Sequence, residues 1–524
     1  MALEAGPHTD DKRHRDHMFI GVAGLMMFAV VLVRTAWVSD DAYITFRVVD
    51  NFLHGYGLRY NIDERVQVFT HPLWMMCLTF LYAFTREIHL TSIALSCAVT
   101  LATVWLVLAK AARTPLAAVL AIAVFVSSKS FTDFSTSGLE NPLTHLLLAG
   151  FVVAFLDAPL TNKRVFALSL LAGLAVLNRM DTLLFFAPAL VYCLVVRRSF
   201  TTVLLLCAGF LPFVCWELFA VIYYGFPFPN TAYAKLVNGV PRPILVTQGF
   251  CYLLNSLNVD PVTLFSIVLA AVVTLVKPMN SRRILLLTGP LLYMLYIIWI
   301  GGDFMSGRFL SAPLLVAVLL LVRSPLAETR IAPVVAAVLA VTLGFAGAYP
   351  PILSNSAYGQ NRGDTRDEKM VTDERANYYP YTGLLRLTRT APLPMYHPWA
   401  KEGQRLRESG DTVADTMIGA GIGAFFAGPG IHFMEHFAIC DPLLARITPD
   451  RWGMHGHFYR EFPEGYADSA RAGRPLLANA GLNAYYTQLC VLTRGPLFTR
   501  ERLAAIVRMN LGAYNHLLPV KRPP

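Results

Sequence analysis

Charged residues are scarce in this chain. Asp, Glu, Lys and Arg make up only 15% of its 524 residues, whereas a soluble domain of ordinary composition carries about a quarter. Hydrophobic residues account for 55% and occur in long runs. A helix needs about 20 residues to cross the hydrocarbon core of a bilayer. The composition therefore excludes an ordinary soluble enzyme and predicts an α-helical membrane protein with many spans.

The 8 cysteines are scattered along the chain, and no CxxC or Cys/His spacing typical of a zinc site is present. Most of the cysteines lie in or near apolar runs, where a thiol behaves as a small core residue. Cys440 and Cys490 lie in the polar C-terminal part. If that part is extracytoplasmic, a disulfide between them is one alternative and two free thiols are the other.

The positive charge is distributed as in a membrane protein. The net charge is +10, but most Lys and Arg stand in short clusters between apolar runs, which marks cytoplasmic loops and argues against nucleic-acid binding. Residues 18–37 follow a basic head and are too long for a cleavable signal peptide, so we expect a signal anchor with a cytoplasmic N-terminus. The predicted spans are residues 18–37, 90–109, 116–126, 143–156, 165–177, 182–196, 203–223, 262–276, 284–300, 309–322 and 331–348.

This threading gives about eleven spans in a cytoplasmic membrane, with an extracytoplasmic C-terminus. Residues 1–349 form the predicted transmembrane catalytic domain, with a long first outer loop at residues 38–89. Residues 72–84 are too short to cross, so we expect a helix on the outer surface of the membrane. Residues 350–524 regain charge and periodic apolar patterning, which predicts an extracytoplasmic α/β domain with an acceptor-binding role.

Three stretches of the C-terminal part have a predicted local structure. "DTVADTMIGAGIGAFF" reads as a strand, a tight glycine turn and a helix, and its match to a dinucleotide-binding loop is imperfect. "AYYTQLCVL" reads as a buried strand, and "RERLAAIVRM" as an amphipathic helix. For the His- and aromatic-rich stretch after residue 431 we prefer a carbohydrate-contacting surface to a metal site at His432, Glu435 and His436.

The first outer loop begins with two adjacent carboxylates, Asp40 and Asp41. Acidic side chains are costly to bury next to a membrane span, so those found there often have a functional role. The structural alternative is a helix start, with Ser39 or Asp40 as N-cap and Asp41 in the first turn. A carboxylate held there is also suited to act as general base on an acceptor hydroxyl, or to stabilise positive charge on a sugar ring.

The outer loops also carry cations and polar side chains. Arginine grips phosphate bidentately, and a lipid-tethered phosphate would lie at this depth. The structural alternative for each cation is a snorkelling or ion-paired residue, and Arg179 with Asp181 in "NRMD" is such a pair by spacing. The candidate substrate-binding residues are Arg47, His71, Glu140, Arg179, Asp181, Asn230, Lys235, Asp303 and Arg308.

An acidic motif after the first span, a surface helix, many spans and a C-terminal outer domain together resemble the GT-C class of membrane glycosyltransferases. The motifs "DDAYITFRVVDNFLHGYGLRYNIDERVQVFTHPLW", "TSGLENPL", "NRMD", "PNTAYAKL", "GGDFMSGRFL" and "DPLLAR…GH" are more narrowly similar to those of the mycobacterial terminal β-(1→2)-arabinofuranosyltransferases. The resemblance covers most of the chain in the same order.

The resemblance implies transfer of D-arabinofuranose from a polyprenyl-phosphate donor to an extracytoplasmic glycan or glycoprotein acceptor, with no certain cofactor. It places the catalytic acids at Asp40 and Asp41. Donor contacts fall on His71, Lys235, Asp303 and Arg308. The need for a divalent metal, the stereochemical course and the acceptor stay open.

Other functions remain as alternatives, of which a non-catalytic membrane scaffold is disfavoured by the concentration of polar chemistry in the outer loops. One is another polyprenyl-phosphate-sugar transferase, moving mannose or aminoarabinose to protein or lipid. A further one is a polyprenyl-sugar transporter, which should carry ionisable residues within its spans and show repeat symmetry. Glu217 is the clearest charge within a span, and no repeat is evident.

Overall fold

The computed structural model describes residues 7–157, 159–236, 239–276, 280–360, 363–387, 396–415 and 418–519. Helices dominate these ranges, and the chain divides into two compact units. The first unit comprises residues 1–38, 92–211 and 248–386, and the second comprises residues 39–91, 212–247 and 387–524. The units interleave along the chain, so the functional division between residues 349 and 350 stays a prediction.

The helices of the first half are α1 (Pro7–Thr35), α2 (Asp40–Leu53), α3 (Pro72–Thr85), α4 (Ile88–Leu106), α5 (Pro115–Ser127), α6 (Lys129–Asp133), α7 (Asn141–Leu156), α8 (Asn162–Asn178), α9 (Leu183–Arg197), α10 (Phe200–Gly209), α11 (Leu211–Tyr224), α12 (Asn230–Leu236) and α13 (Arg242–Val259). Those of the second half are α14 (Pro261–Leu275), α15 (Ser281–Ile300), α16 (Ser311–Val322), α17 (Ala332–Ala346), α18 (Glu374–Thr382), α19 (Pro398–Ser409), α20 (Ile422–Ala427), α21 (Tyr466–Ala472), α22 (Ala480–Thr493) and α23 (Arg500–Asn510). The strands are β1 (Val413–Asp415) and β2 (His432–Met434).

Several helices are suited to a bilayer. Within the described residues, four are long and apolar enough to cross one: Arg15–Thr35, Ile88–Ala111, Met180–Arg197 and Ser281–Ile300. The pairs α10–α11, bent by 53°, and α13–α14, bent by 107°, raise the number to six if each pair is one span. The chain is therefore a helical membrane protein. Every apolar segment predicted to span is helical, but several are short, and the count of about eleven stays a prediction.

The first unit is built around helices that are apolar on all sides. Every residue of α16 is buried, as expected for a helix in the centre of a bundle. The helix α5 begins with a Thr114 cap, whose hydroxyl accepts a hydrogen bond from the Ala117 N–H at 3.1 Å. Close packing of α15 on α9 requires Gly289, because a Cβ there would lie 2.6 Å from the Phe185 carbonyl oxygen.

The second unit contains the C-terminal helices and a small sheet. β1 and β2 pair in parallel, with Val413 opposite His432. The core packs residues of α22 and α23, such as Leu489 and Ile506, against loop residues such as Leu443. The predicted strand-turn-helix is confirmed by β1 and α20. Thr416 and Met417, within that stretch, lie outside the described residues.

The predicted strand "AYYTQLCVL" is wrong, because these residues belong to α22. Asn479 caps this helix by accepting a hydrogen bond from the Leu482 N–H at 2.9 Å. The buried residues Leu482, Tyr485, Leu489 and Leu492 follow helical spacing, which the β-prone aromatic and valine residues had masked. The amphipathic helix at "RERLAAIVRM" is confirmed as α23. The helix α13 was not anticipated.

All eight cysteines lie within the described residues, and each is a free thiol. The disulfide alternative for Cys440 and Cys490 is therefore not realised. Cys440 is buried and Cys490 is half-buried.

The topology is testable with an impermeant maleimide in a background whose native cysteines are replaced. We expect His54→Cys, in the predicted outer loop, to be labelled in intact cells. Lys163→Cys, in a predicted inner loop, should be labelled only after lysis, because basic clusters are retained in the cytoplasm. Both positions are exposed, so burial cannot explain a failure to label. Labelling of Lys163→Cys in intact cells would contradict the threading.

Candidate functional site

The predicted acid pair lies at the start of α2, in the second unit. Ser39 is the N-cap, and its hydroxyl accepts a hydrogen bond from the Ala42 N–H at 3.3 Å. Asp40 and Asp41 occupy the first turn, where negative charge is stabilised by the helix dipole. Of the two cap alternatives, the structure selects Ser39, and this leaves both carboxylates available for other contacts.

The carboxylate of Asp40 is held by a turn from the C-terminal part of the chain. Its Oδ1 accepts a hydrogen bond from the Ile422 N–H at 2.7 Å, and its Oδ2 accepts one from the Gly421 N–H at 3.3 Å. Asp40 is 8% exposed. Burial raises its pKa to about 7 against the lowering effect of the Ile422 hydrogen bond, and the charge of Asp41 raises it further.

The glycines of "GAGIGA" permit this contact. A Cβ on Gly421 would overlap the Asp40 carbonyl and crowd its carboxylate carbon. A Cβ on Gly419 would meet the Asp40 carboxylate and the Trp399 ring. These glycines are needed for close approach to the acid, a role that the local sequence pattern does not reveal.

The two acids differ in environment. Asp40 is buried and bonded to backbone through both oxygens, whereas Asp41 is half-buried. Asp41 is therefore the carboxylate of the pair with surface to offer a substrate, and Asp40 is the one that fixes the helix start.

Arg47, a predicted substrate contact, lies on the same helix and is 2% exposed. Its Nε donates to the Tyr60 carbonyl and its Nη2 to the Ile431 carbonyl, both at 2.8 Å, and its Nη1 donates to the Ala424 carbonyl. Every nitrogen of the guanidinium thus bonds to backbone. This arrangement favours a structural role, in which Arg47 joins α2 to α20 and the start of β2.

His71 precedes α3 and is almost fully buried. Its Nε2 lies 2.9 Å from the Thr45 hydroxyl oxygen. On the opposite side of α2, the Tyr43 hydroxyl lies 2.7 Å from His89 Nδ1. Both histidines therefore brace α2, and His89 is a neighbour of the acid-bearing helix that the sequence did not single out.

Asn230 and Lys235 lie on α12. The Asn230 Nδ2 donates to the carbonyls of Ala438, Ile439 and Asp441, each at 3.0 Å. Its Oδ1 accepts from Arg446 Nη1 at 3.1 Å. Asn230 is thus a structural hub for this loop, while the half-buried Lys235 places its ammonium against Gly456.

The other five candidates come together in the first unit. Glu140 is 1% exposed, and its Oε1 lies 2.6 Å from Arg179 Nη1 and 3.2 Å from Arg308 Nη2. Arg179 also pairs with Asp181 at 2.8 Å, and Arg308 Nη1 lies 3.7 Å from Asp303 Oδ2. The pairing expected for "NRMD" is confirmed, and the three motifs that contribute to this cluster meet in space.

This cluster contains two cations and three carboxylates, so it is formally negative rather than positive. Phe309 extends it, because its ring lies 4.7 Å from the Arg179 guanidinium carbon. The arginines are held in fixed directions by buried partners, which preorganises them but opposes capture of an anion by charge alone. A phosphate that binds here must compete with Glu140 for the same donors.

The alternative metal ligands are engaged elsewhere. His432 Nδ1 lies 2.8 Å from Asp63 Oδ1, and Glu435 accepts hydrogen bonds from the Phe437 and Cys440 N–H groups. His436 Nδ1 donates a hydrogen bond to the Arg460 carbonyl at 2.8 Å. In the ranges that the structure describes, no three His, Cys, Asp or Glu residues are arranged to hold a metal ion.

A second ion-paired set escaped the sequence analysis. Asp63 pairs with His432 and, through its other oxygen, with Arg494 at 3.1 Å. Burial lowers the pKa of His432, but the hydrogen bond and charge of Asp63 and the charge of Glu64 outweigh it and raise that pKa. The partners are more than 360 residues apart in sequence, so no local signal announces them.

Gly421→Ala tests the contact that holds Asp40. Overpacking of a close approach typically costs about 1–3 kcal/mol, so we expect the thermal unfolding midpoint of the purified protein to fall. Gly430→Ala is the matched control, because a Cβ there meets nothing within 4 Å. Equal midpoints for the two variants would contradict the proposed packing.

No family model matches the chain. Two curated proteins do, and both are named terminal β-(1→2)-arabinofuranosyltransferase. The one from Mycobacterium tuberculosis is 29% identical over 327 residues, which is 53% of this chain and 51% of the relative. The one from Corynebacterium glutamicum is 29% identical over 334 residues, which is 56% of this chain and 48% of the relative.

A solved structure, ArnT from Cupriavidus metallidurans bound to undecaprenyl phosphate, aligns with 79% of this chain and 85% of its own at 10% identity, with a TM-score of 0.48. The chain spans about half the length of the curated relatives that it matches. Both relatives are glycosyltransferases by name, and the resemblance to arabinofuranosyltransferases indicated by the motifs is confirmed.

Proposed function

We propose that this protein is a membrane glycosyltransferase that transfers D-arabinofuranose from a polyprenyl-phosphate donor to a glycan acceptor outside the cytoplasm. The observation that carries the proposal is the carboxylate pair at the start of α2, in which Asp40 is buried and bonded to backbone N–H groups and Asp41 is half-buried. The likeness to the two arabinofuranosyltransferases supports the choice of sugar.

In the proposed reaction, the acceptor hydroxyl attacks C1 of the donor sugar. The bond between C1 and the phosphate oxygen breaks, and polyprenyl phosphate leaves with the bonding electron pair. The hydroxyl proton passes to the Asp41 carboxylate, which acts as general base. Asp40 is the positioning residue, since its carboxylate is held by Gly421 and Ile422.

We assign recognition of the donor phosphate to Arg179 and Arg308. Their side chains keep 17% and 10% of their surface exposed, and both already point their donors at one carboxylate. Bidentate guanidinium contacts would stabilise the charge of the departing phosphate. Glu140, Asp181 and Asp303 orient the two arginines in this scheme.

The remaining candidates divide by their contacts. Lys235 is a proposed donor contact, and His71 is proposed to support the donor site indirectly through Thr45 of α2. Arg47 and Asn230 are assigned scaffold roles, since backbone carbonyls occupy their donor groups. We place the reaction at the extracytoplasmic face of the cytoplasmic membrane, with the N-terminus inside and the C-terminus outside. The acceptor-binding role stays with residues 350–524.

The test is to incubate the purified full chain with synthetic polyprenyl-phosphoryl sugars and a panel of acceptors, with and without a metal chelator. We expect arabinofuranosyl transfer, with product linkage analysis giving the anomer and position. Transfer only from mannosyl or aminoarabinosyl donors would replace the sugar assignment. Donor translocation across vesicles without any product would replace the enzyme by a transporter.

The two acids should give different kinetic results. Asp41→Asn should lower kcat by roughly 10²–10⁴-fold, the usual contribution of a general base. Asp40→Asn should have a smaller effect, since one amide oxygen still accepts a hydrogen bond. The pKa of Asp40 is about 7, and its protonated form likewise keeps one acceptor oxygen. Wild-type activity should therefore fall below about pH 7 only by the same small factor as in Asp40→Asn.

That acidic limb should be absent in Asp40→Asn. A larger loss in Asp40→Asn than in Asp41→Asn would reverse the roles of the two acids. Unchanged turnover in both variants would remove them from the reaction.

A further inference from the structure

The C-terminal helix α23 is tied to the end of a candidate membrane span. The Arg502 guanidinium donates through Nη1 to the Ile222 carbonyl at 2.6 Å and through Nη2 to the Tyr223 carbonyl at 3.0 Å. Both carbonyls belong to the last turn of α11, which ends at Tyr224. Asn510 adds a hydrogen bond to the Gly225 carbonyl at 2.8 Å.

The helix α11 belongs to a bent pair that is apolar enough to cross a bilayer. Near its end Phe228 is exposed and Tyr223 is half-buried, whereas Tyr224 and Phe226 pack in the core. Aromatic side chains are enriched where spans leave the hydrocarbon core. The carbonyls that bind Arg502 therefore mark a membrane boundary, and α23 lies at that depth.

The outward side of α23 carries a row of apolar side chains. Leu503, Val507 and Leu511 follow a spacing of four residues, which places them in one row, and they are 44%, 57% and 80% exposed. Phe498, just before the helix, is 78% exposed. The opposite face, with Ile506 and other core residues, is buried. An apolar row of this kind on a water-facing helix would be unfavourable.

Arginines flank the apolar row. Arg500 and Arg508 are exposed beside it, together with one acid, Glu501, so the exposed charge of the helix is positive by one. Arg502 points inward to the carbonyls of α11. An apolar row with cationic residues on its flank is the composition of a helix that lies in the plane of a bilayer surface and contacts anionic headgroups. Charge complementarity thus identifies a lipid surface as the occupant.

The helix α3 of the same unit shows the same design. Met76, Phe80 and Phe84 recur every four residues and are exposed, while Trp74, Leu78 and Tyr82 are buried. The short length of α3 predicts that it lies on the membrane surface. The helix α23 has the same pattern of exposure, although its sequence predicts only an amphipathic helix in a soluble domain.

We propose that the row Phe498, Leu503, Val507 and Leu511 is a membrane-contact surface that inserts into the interfacial layer of the protein's own bilayer, with Arg500 and Arg508 on anionic phospholipid headgroups. The surface would hold the C-terminal part of the chain against the membrane at the end of α11. This inference does not depend on the sugar, the acceptor or the chemistry proposed above.

The test uses the full chain in reconstituted bilayers, with a bimane fluorophore at Val507→Cys in a background without other cysteines. Thr487→Cys, at an exposed position of α22, is the matched control. We expect the emission at residue 507 to shift to shorter wavelength and to be quenched by nitroxide-labelled phospholipids. The control should be quenched by aqueous iodide instead. Lipid quenching should increase with the fraction of phosphatidylglycerol.

Leu503→Cys provides a second probe if the first variant does not purify as a single species. Quenching of both probes by iodide, as strongly as at the control, would overturn the proposal. Shielding from both quenchers with a dependence on protein-to-lipid ratio would identify a second copy of the chain as the occupant. Lipid quenching that is unchanged by Arg500→Gln with Arg508→Gln would remove the headgroup contact.

Discussion

A buried carboxylate bonded to two backbone N–H groups is the contact on which the second unit depends. Asp40 cannot be ionised at low cost inside protein unless donors surround it, and the start of α20 supplies them through Gly421 and Ile422. Because Asp40 also occupies the first turn of α2, this contact fixes the direction of that helix. Asp41 is the next residue of the same helical turn, so fixing Asp40 also fixes the position of the Asp41 backbone.

The same helix is held at several further points, and each uses a polar group that would be costly to leave unpaired. Arg47 bonds to three carbonyls, and Tyr43 and Thr45 each meet a histidine. An acid–base residue needs a rigid support to be effective. The many buried hydrogen bonds made by this short helix hold α2, and with it Asp41, in a fixed position.

Much of the local structure could be predicted from the sequence, because it depends on neighbours along the chain. The cap at Ser39, the strand-turn-helix at Gly421 and the amphipathic α23 all have signals within a few residues. The contact between Gly421 and Asp40 could not be predicted, since the partners are 381 residues apart. The helix α22 was misread because aromatic residues suit both strands and helices, and only burial settles the periodicity.

The charged cluster of the first unit shows a similar division. Residue types at Arg179 and Asp181 are enough to expect an ion pair, but the bridge from Glu140 to both Arg179 and Arg308 depends on how three separate loops pack. The sequence left an ion-paired residue as the alternative for each cation, but it could not show that one buried carboxylate, Glu140, joins two of them. The buried carboxylates of the cluster mainly fix the directions of the two guanidinium groups. They do not leave the cluster with a net positive charge.

The exposed apolar rows on α3 and α23 relate the fold of the second unit to its surroundings. Water penalises a row of large apolar side chains, and a compact fold normally hides such a row in its core. The rows on α3 and α23 are left outward while the opposite faces of both helices pack inward. In a chain with spans long enough for a bilayer, lipid is the solvent that makes this arrangement favourable. Polarity along the sequence alone would class α23 as part of a soluble domain, whereas its tie to the end of α11 gives its apolar face a different meaning.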